Sequence, residues 1–285
     1  MTLLGRLRRP LGRRTDYRFS DTDGGPTPPA PIPAEHQRVF DLTDPQADPR
    51  LVVKGRFGAG ARCVLDDRTS ARTQITIVGR GETGPVEDIE IILGAIKRGR
   101  VTIRIAGNQV QVQIGSSERL FTELKLGEGA RIRIGDGTTS SGIVLNSTRG
   151  EIQIGAECQS GAESLVMGAV HHGVVDLSSG KPALADQSAK VLIGDHVWIG
   201  TRSYIGGRAD VGSGSIIAAT ATVVSKTPKN CLLAGNPAKV RRHNVGWSRS
   251  HVEIDDASHA YFEAQLASGL LTASNEQPLS QEGQE

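Results

Sequence analysis

Aromatic side chains are scarce in this 285-residue chain: two Trp, three Tyr and five Phe make 4%, against 37% hydrophobic residues overall. Burial must come from Val, Ile, Leu and Ala, which argues for repetitive packing of small and β-branched side chains rather than an irregular globule. Cysteine is nearly absent as well. Cys63, Cys158 and Cys231 are odd in number and widely spaced, so neither a disulfide framework nor a C-x-x-C zinc site is expected, and a reducing, cytoplasmic setting fits. No apolar run reaches the ~18 residues of a membrane span, and the apolar start at residues 1–4 is too short for a signal peptide.

The net charge of +2 is too small for a nucleic-acid-binding surface spread over the domain, so no nucleic-acid partner is expected. The charge is local instead. Residues 1–14 hold Arg6, Arg8, Arg9, Arg13 and Arg14 with no acid, and Lys239, Arg241, Arg242 and Arg249 form a second cluster. Two local patches point to two local anionic partners. Each basic residue near an anionic bilayer is worth on the order of 1 kcal/mol, so the first cluster suits weak, peripheral contact with the inner-membrane surface. Sedimentation with anionic vesicles tests this, and equal binding with and without residues 1–20 would refute it.

Glycine, by contrast, is plentiful, with 35 residues. Residues 1–50 mix arginine with Pro-rich text (GGPTPPAPIP, 24–33) and carry no periodicity, which predicts a disordered arm. From Gln74 to Ile154 apolar residues alternate in short bursts, among them Val101, Ile103 and Ile105, then Val110, Val112 and Ile114. Ile114, Ile134 and Ile154 lie twenty residues apart, each followed by glycine. Past Val191 the period tightens to six. Ile193, Ile199, Ile205, Val211, Ile217 and Val223 share one hexad position, with Gly194, Gly200, Gly206 and Gly212 beside the first four.

A hexad with one aliphatic and one small residue builds one flat face of a triangular coil; three hexads make a turn, and the turns stack parallel strands. The aliphatics then form internal ladders, and glycine is expected at corners where φ turns positive. A narrow bore admits small and aliphatic side chains only, which accounts for the missing aromatics. The spacing thus predicts an all-β parallel β-helix over 51–248. Residues 173–190 break the register and read as a loop excursion between coils. Residues 249–285 read as a C-terminal helix and frayed tail, with Tyr261, Phe262, Leu266 and Leu270 on one helix face, placed to cap an open end.

The stretches IGDHVWIG (193–200), the hexads after it and AGNPAKVRR (234–242) resemble the C-terminal coils of bacterial hexapeptide-repeat acyltransferases. With IGAECQSG and HHGVVDLSSGK before them, they are similar to the branch that O-acetylates capsular and other surface polysaccharides. The resemblance covers about 126 to 250 well, 51–125 weakly, and the arm and tail not at all. It implies a left-handed β-helix, a homotrimer with sites at the subunit interfaces, and acetyl-CoA as co-substrate with a saccharide acceptor. The family's His-x-aliphatic-x-Asp motif is met by His172, Gly173, Val174, Val175 and Asp176, which makes His172 the expected general base.

General-base chemistry suits an imidazole, and the thioester is already activated, so no covalent nucleophile is required. Adjacent His171 is the alternative. The family carries a Ser-Asp pair where this chain has Ala169 and Val170, so Asp176 or another group must orient the imidazole, or the protein is an inactive trimeric scaffold that still binds CoA. N-acetylation of an amino sugar is a further alternative. The resemblance assigns pantetheine contacts to Thr201 and Ala219, one coil apart, and places Ser225, Lys226, Lys239 and Arg242 by the CoA phosphates. At 224–226, however, the chain reads VSK where the family reads TKD. Trp198 must point out of the narrow bore; the resemblance implies that it lines the inter-subunit site against the acceptor sugar or the pantetheine arm, with Asp176 also at the substrate, the alternative for Trp198 being burial in the trimer interface. His196 beside Asp195 reads as a solvated turn residue. Three zinc ligands cannot be assembled from His171, His172 and His196, so no metal is expected.

Overall fold

The computed structural model describes residues 25–45, 48–82, 84–168, 174–182 and 189–267. Alternation explains the strands: in Gly99–Ile105, Val101, Ile103 and Ile105 are buried while Arg100, Thr102 and Arg104 turn outward. The strands stack in parallel, coil upon coil. Ile114, Ile134, Ile154, Ile193 and Val211 are paired in sequence across one sheet, so the twenty-residue and six-residue periods belong to one ladder. The step from Ile154 to Ile193 is longer because the excursion is inserted in that coil. The product is the expected left-handed parallel β-helix. All six hexad aliphatics from Ile193 to Val223 are buried. Full burial of such a side chain is worth about 1.5–3 kcal/mol, so the aliphatic ladders supply most of the core, which Phe40 and Phe57 join at its N-terminal end.

The cross-section is not uniform along the axis. The early coils hold two long strands each, such as Gly99–Ile105 and Val110–Ile114. At Thr139–Ser147 the second strand divides: residues 139–140 pair with Gln159–Ser160 and residues 143–146 pair with Ser164–Met167. The register shift at Gly142, whose φ is +145, bends the strand there. Past it the coils have three short strands, and the hexads follow.

The hexad glycines serve a purpose other than the one expected. Gly194 and Gly200 do not have positive φ; a Cβ on either would lie 2.6 Å from the Ser213 nitrogen or 2.5 Å from the Ala219 nitrogen of the next coil. They permit close approach between coils. The left-handed positions come two residues later, at His196 and Arg202, and one such corner stacks Gly137, Glu157, His196, Gly214 and Asn230.

The arm is also more ordered than its composition suggests. Strand Gln37–Asp41 pairs antiparallel with Arg62–Asp66 and buries Phe40 in the core, so structure begins before residue 51. Upstream, Thr27 donates its N–H to Asp195 Oδ1 at 2.8 Å and its hydroxyl to Oδ2 at 2.5 Å, while Ala30 N–H donates to Asp136 Oδ2 at 2.6 Å. Asp195 and Asp136 are two coils apart, roughly 9.5 Å, and three residues of polyproline helix span roughly 9.3 Å. The prolines are therefore a spacer that matches the coil repeat, with Thr27 and Ala30 keeping the N–H groups that proline lacks. Residues 1–24, with the five arginines of 1–14, lie outside the described residues.

The expected helix is present as Asp256–Ala267. Asp255 caps it, accepting from Ser258 N–H at 3.1 Å and the Ser258 hydroxyl at 2.8 Å. Tyr261 and Phe262 face the β-helix corner, Leu266 is exposed, and Leu270 lies outside the described residues.

Candidate active site

The sequence-expected site residues fall into three groups. The first forms around Trp198. Ile199 is buried, so strand alternation turns Trp198 outward, where it is 41% exposed. Register places Gln159, Trp198, Ile216, Leu232 and Arg242 side by side on successive strands. Thr201 and Ala219 are exposed at the corner that follows, linked by Thr220 N–H donating to the Thr201 carbonyl at 2.9 Å. Lys239 pairs with Ala234, on the strand beyond Ala219's coil. Hence Trp198, Thr201, Ala219, Lys239 and Arg242 share one side of the last coils. Among the described residues neither Lys239 nor Arg242 has an acidic partner, so both charges are free for an anionic ligand.

The second group stands apart. Lys226 Nζ lies 3.0 Å from Asp210 Oδ2, and the two residues are bridged across the other sheet, which draws Lys226 and its neighbour Ser225 away from the Trp198 row. The third is the excursion. Val175–Asp176 and Lys181–Pro182 form a small hairpin, and the Asp176 carboxylate accepts from Ser178 N–H at 2.7 Å and the Ser178 hydroxyl at 2.5 Å. These bonds hold its acid below the usual carboxylate range. Asp176 thus builds the turn of the hairpin. Val174, Val175 and Leu177 are exposed around it. Ala169, Val170, His171 and His172 lie outside the described residues.

His196 corrects the sequence reading. It occupies a left-handed corner, φ +53, where a side chain ordinarily meets solvent, yet it is 1% exposed. The C-terminal segment covers it: Trp247 stacks on one face at 4.6 Å, Tyr261 on the other at 4.7 Å, and Phe262 stands edge-on at 5.7 Å. Nε2–H donates to the Trp247 carbonyl at 3.1 Å, and Trp247 Nε1–H returns a bond to the His196 carbonyl at 2.8 Å. Among the described residues the buried Nδ1 has no partner, and burial pushes the imidazole pKa down. Trp247 also approaches Trp198, with ring centroids 6.3 Å apart, so the clamp borders the candidate site. Farther along the same corner, Arg249 binds the Gly137 and Glu157 carbonyls and the Thr139 hydroxyl. The capping face with Tyr261 and Phe262 is legible in the sequence; the further signal for docking at His196 is Trp247, a large apolar side chain in a polar tail.

Cys63, Cys158 and Cys231 are all buried in the bore and away from the exposed row, and burial pushes the Cys63 and Cys158 thiols up to about 12 and the Cys231 thiol up as well. Among the described residues no three His, Cys, Asp or Glu side chains converge to hold a metal ion, and no helix is long and apolar enough to cross a membrane.

Residues 190–225, the hexads of the last coils, match the family described as bacterial transferase hexapeptide (six repeats). The resemblance to hexapeptide-repeat acyltransferases is thereby borne out. In sequence, the chain is 26% identical over 159 residues to the polysialic acid O-acetyltransferase of Escherichia coli O1:K1 / APEC, covering 54% of this chain. The match spans about half of that relative, 51%. In structure, the polySia specific acetyltransferase NeuO superposes with a TM-score of 0.59 at 22% identity, covering 77% of this chain and 100% of that one. The polysialic acid O-acetyltransferase OatWY superposes with a TM-score of 0.56 at 18% identity, covering 75% and 92%. At these identities the superpositions speak to the fold.

Proposed function

We propose that the chain is an acetyl-CoA-dependent O-acetyltransferase, acting in the cytoplasm on a sugar hydroxyl of a surface polysaccharide or its precursor. The observation that carries this reading is the exposed row in and beside the matched hexads: Trp198 next to Thr201 and Ala219, with unpaired Lys239 and Arg242 beyond them. Thr201 and Ala219 would meet the pantetheine amides, Lys239 and Arg242 the phosphates, and the indole the acceptor ring. His172 would take the acceptor's hydroxyl proton as that oxygen attacks the thioester carbonyl. The new C–O bond forms, the C–S bond breaks, and the proton leaves with the thiol. Val174, Val175 and Leu177, exposed in the single chain, favour a site completed by a neighbouring subunit of a homotrimer.

Thiol release from acetyl-CoA across acidic and neutral polysaccharides, with CoA binding measured on the same sample, tests the proposal. An acceptor that drives release supports it, and absence of CoA binding overturns it. CoA binding with no turnover on any acceptor would favour the inactive scaffold, for which Ala169 and Val170 in place of Ser and Asp are the specific observation.

A further inference from the structure

The two outward faces of the early coils handle charge differently. On the first sheet, cations and acids alternate across strands: Arg62 pairs with Glu90, and Arg131 and Lys190 both reach Glu151. The second sheet and its leading corner carry Arg72, Lys97, Arg98, Arg100, Arg104, Arg119 and Lys125, against the acids Glu118 and Glu123; Glu118 is taken by Lys97 at 2.5 Å. Glu123 is taken by Arg104 at 2.6 Å and Lys125 at 3.9 Å. Among the described residues Arg72, Arg98 and Arg100 have no acidic partner.

Three of these arginines form a column. Each immediately precedes a long strand, Thr73–Gly79, Gly99–Ile105 and Leu120–Leu126, and those strands pair in register, so Arg72, Arg98 and Arg119 stack one per coil. Their backbones are joined by Gly99 N–H to the Arg72 carbonyl at 3.4 Å and Leu120 N–H to the Arg98 carbonyl at 3.0 Å. Like charges roughly 5 Å apart on neighbouring strands repel. The same register carries the column onward through Thr139 and Gln159 to Trp198, three coils beyond Arg119. Beside the column an open depression of about 450 Å³ lies between Arg100, Phe121, Ser141 and Gly142, its two carboxylates, Glu123 and Glu163, being paired with Arg104 and Arg202, and Phe121 is 37% exposed.

We infer that the Arg72–Arg98–Arg119 column, with Arg100 and Phe121 beside it, is a binding track for an acidic polysaccharide chain whose far end lies at Trp198. A chain bearing a carboxylate at intervals relieves the repulsion within the column and releases its counterions. The flat Phe121 ring suits the apolar face of a sugar. A second copy of the same face is excluded by like charge. A nucleic acid is disfavoured because its bases call for successive aromatic platforms, and Phe121 stands alone. The inference rests on the proposed transfer only in taking the polymer as acceptor.

The test is binding of the full chain to a polyuronate, a polysialate, a neutral dextran of matched length and a single-stranded oligonucleotide, for wild type and for Arg72→Gln/Arg98→Gln/Arg119→Gln. These residues are exposed or half-buried at a corner, and the variant's unfolding transition verifies its fold. The expected result is acidic-polymer binding that weakens with salt, drops about ten-fold in the variant and acquires a shallower salt dependence, with no binding of dextran. Equal binding by wild type and variant, no binding of either acidic polymer, or tighter binding of the oligonucleotide overturns the inference. CoA binding and thiol release with a short acceptor are read on the same two proteins. Loss of transfer with track binding retained removes the transferase reading alone, and short-acceptor transfer with no track removes this inference alone.

Discussion

His172→Ala is expected to lower thiol release by about 10²–10⁴-fold while CoA binding stays unchanged, the range a positioned general base supplies. The argument is chemical. An alcohol is a poor nucleophile until its proton is accepted during attack, whereas the ligand contacts proposed at Thr201, Ala219, Lys239 and Arg242 hold CoA whether or not the base is present. His171→Ala measured beside it decides between the paired histidines. A large loss in His171→Ala with His172→Ala near wild type would shift the motif by one residue, and no loss in either would remove the histidine base from the mechanism. Turnover on a productive acceptor, with CoA affinity by direct titration, separates the chemical step from binding.

His196→Ala is expected to destabilise the docked C-terminal segment by about 2–4 kcal/mol. Two aromatic stacks contribute roughly 0.5–1.5 kcal/mol each, the bond to the Trp247 carbonyl about 1 kcal/mol, and the emptied space adds to the loss. The chain has two tryptophans, and Trp247 is buried by this clamp while Trp198 is already exposed, so undocking shifts the fluorescence to the red. An unshifted spectrum and an unchanged melting temperature would refute the clamp. Because Trp247 borders Trp198, acceptor binding should weaken with it.

The same clamp predicts a pH dependence with a definite sign. Burial pushes the His196 pKa below its ordinary 6.5, so His196 takes up the proton first in the undocked state. Docking stability is complete above pH 6.5 and falls as the pH drops through 6.5 toward the lowered value. Protonation at Nδ1 places a charge where no acceptor stands among the described residues; Asp255 and Glu157 favour it and Arg249 opposes it. Wild type should show an acid-side change in tryptophan emission that His196→Ala lacks. Identical acid limbs in the two proteins would assign the titration elsewhere.

Much of this molecule is written in local periodicity. A β-strand has a side-chain period of two and a β-helix face a period of six, so Val101, Ile103 and Ile105, and later Ile193 through Val223, declare their burial through spacing alone. Outward Trp198 follows from the same rule, since a bore sized for isoleucine has no room for indole. Coil length, strand direction and the separation of Thr201 from Ala219 by one coil are all consequences of the repeat.

What the repeat does not encode is which distant segment lies against a corner. His196 has the sequence context of a solvated turn, and only the return of the chain fifty-one residues later, bringing Trp247, makes it a buried hub. Lys226 and Lys239 are both basic residues past the last hexad, yet one is drawn to Asp210 across a corner and the other is left free beside Ala234. Arg72, Arg98 and Arg119 are separated by more than twenty residues and become a column only when the coils stack. Sequence alone therefore determined the coil, because aliphatic spacing acts within a few residues. Tertiary structure decided the surface, because burial, pairing and like-charge contact there depend on which coils and tails come to lie side by side.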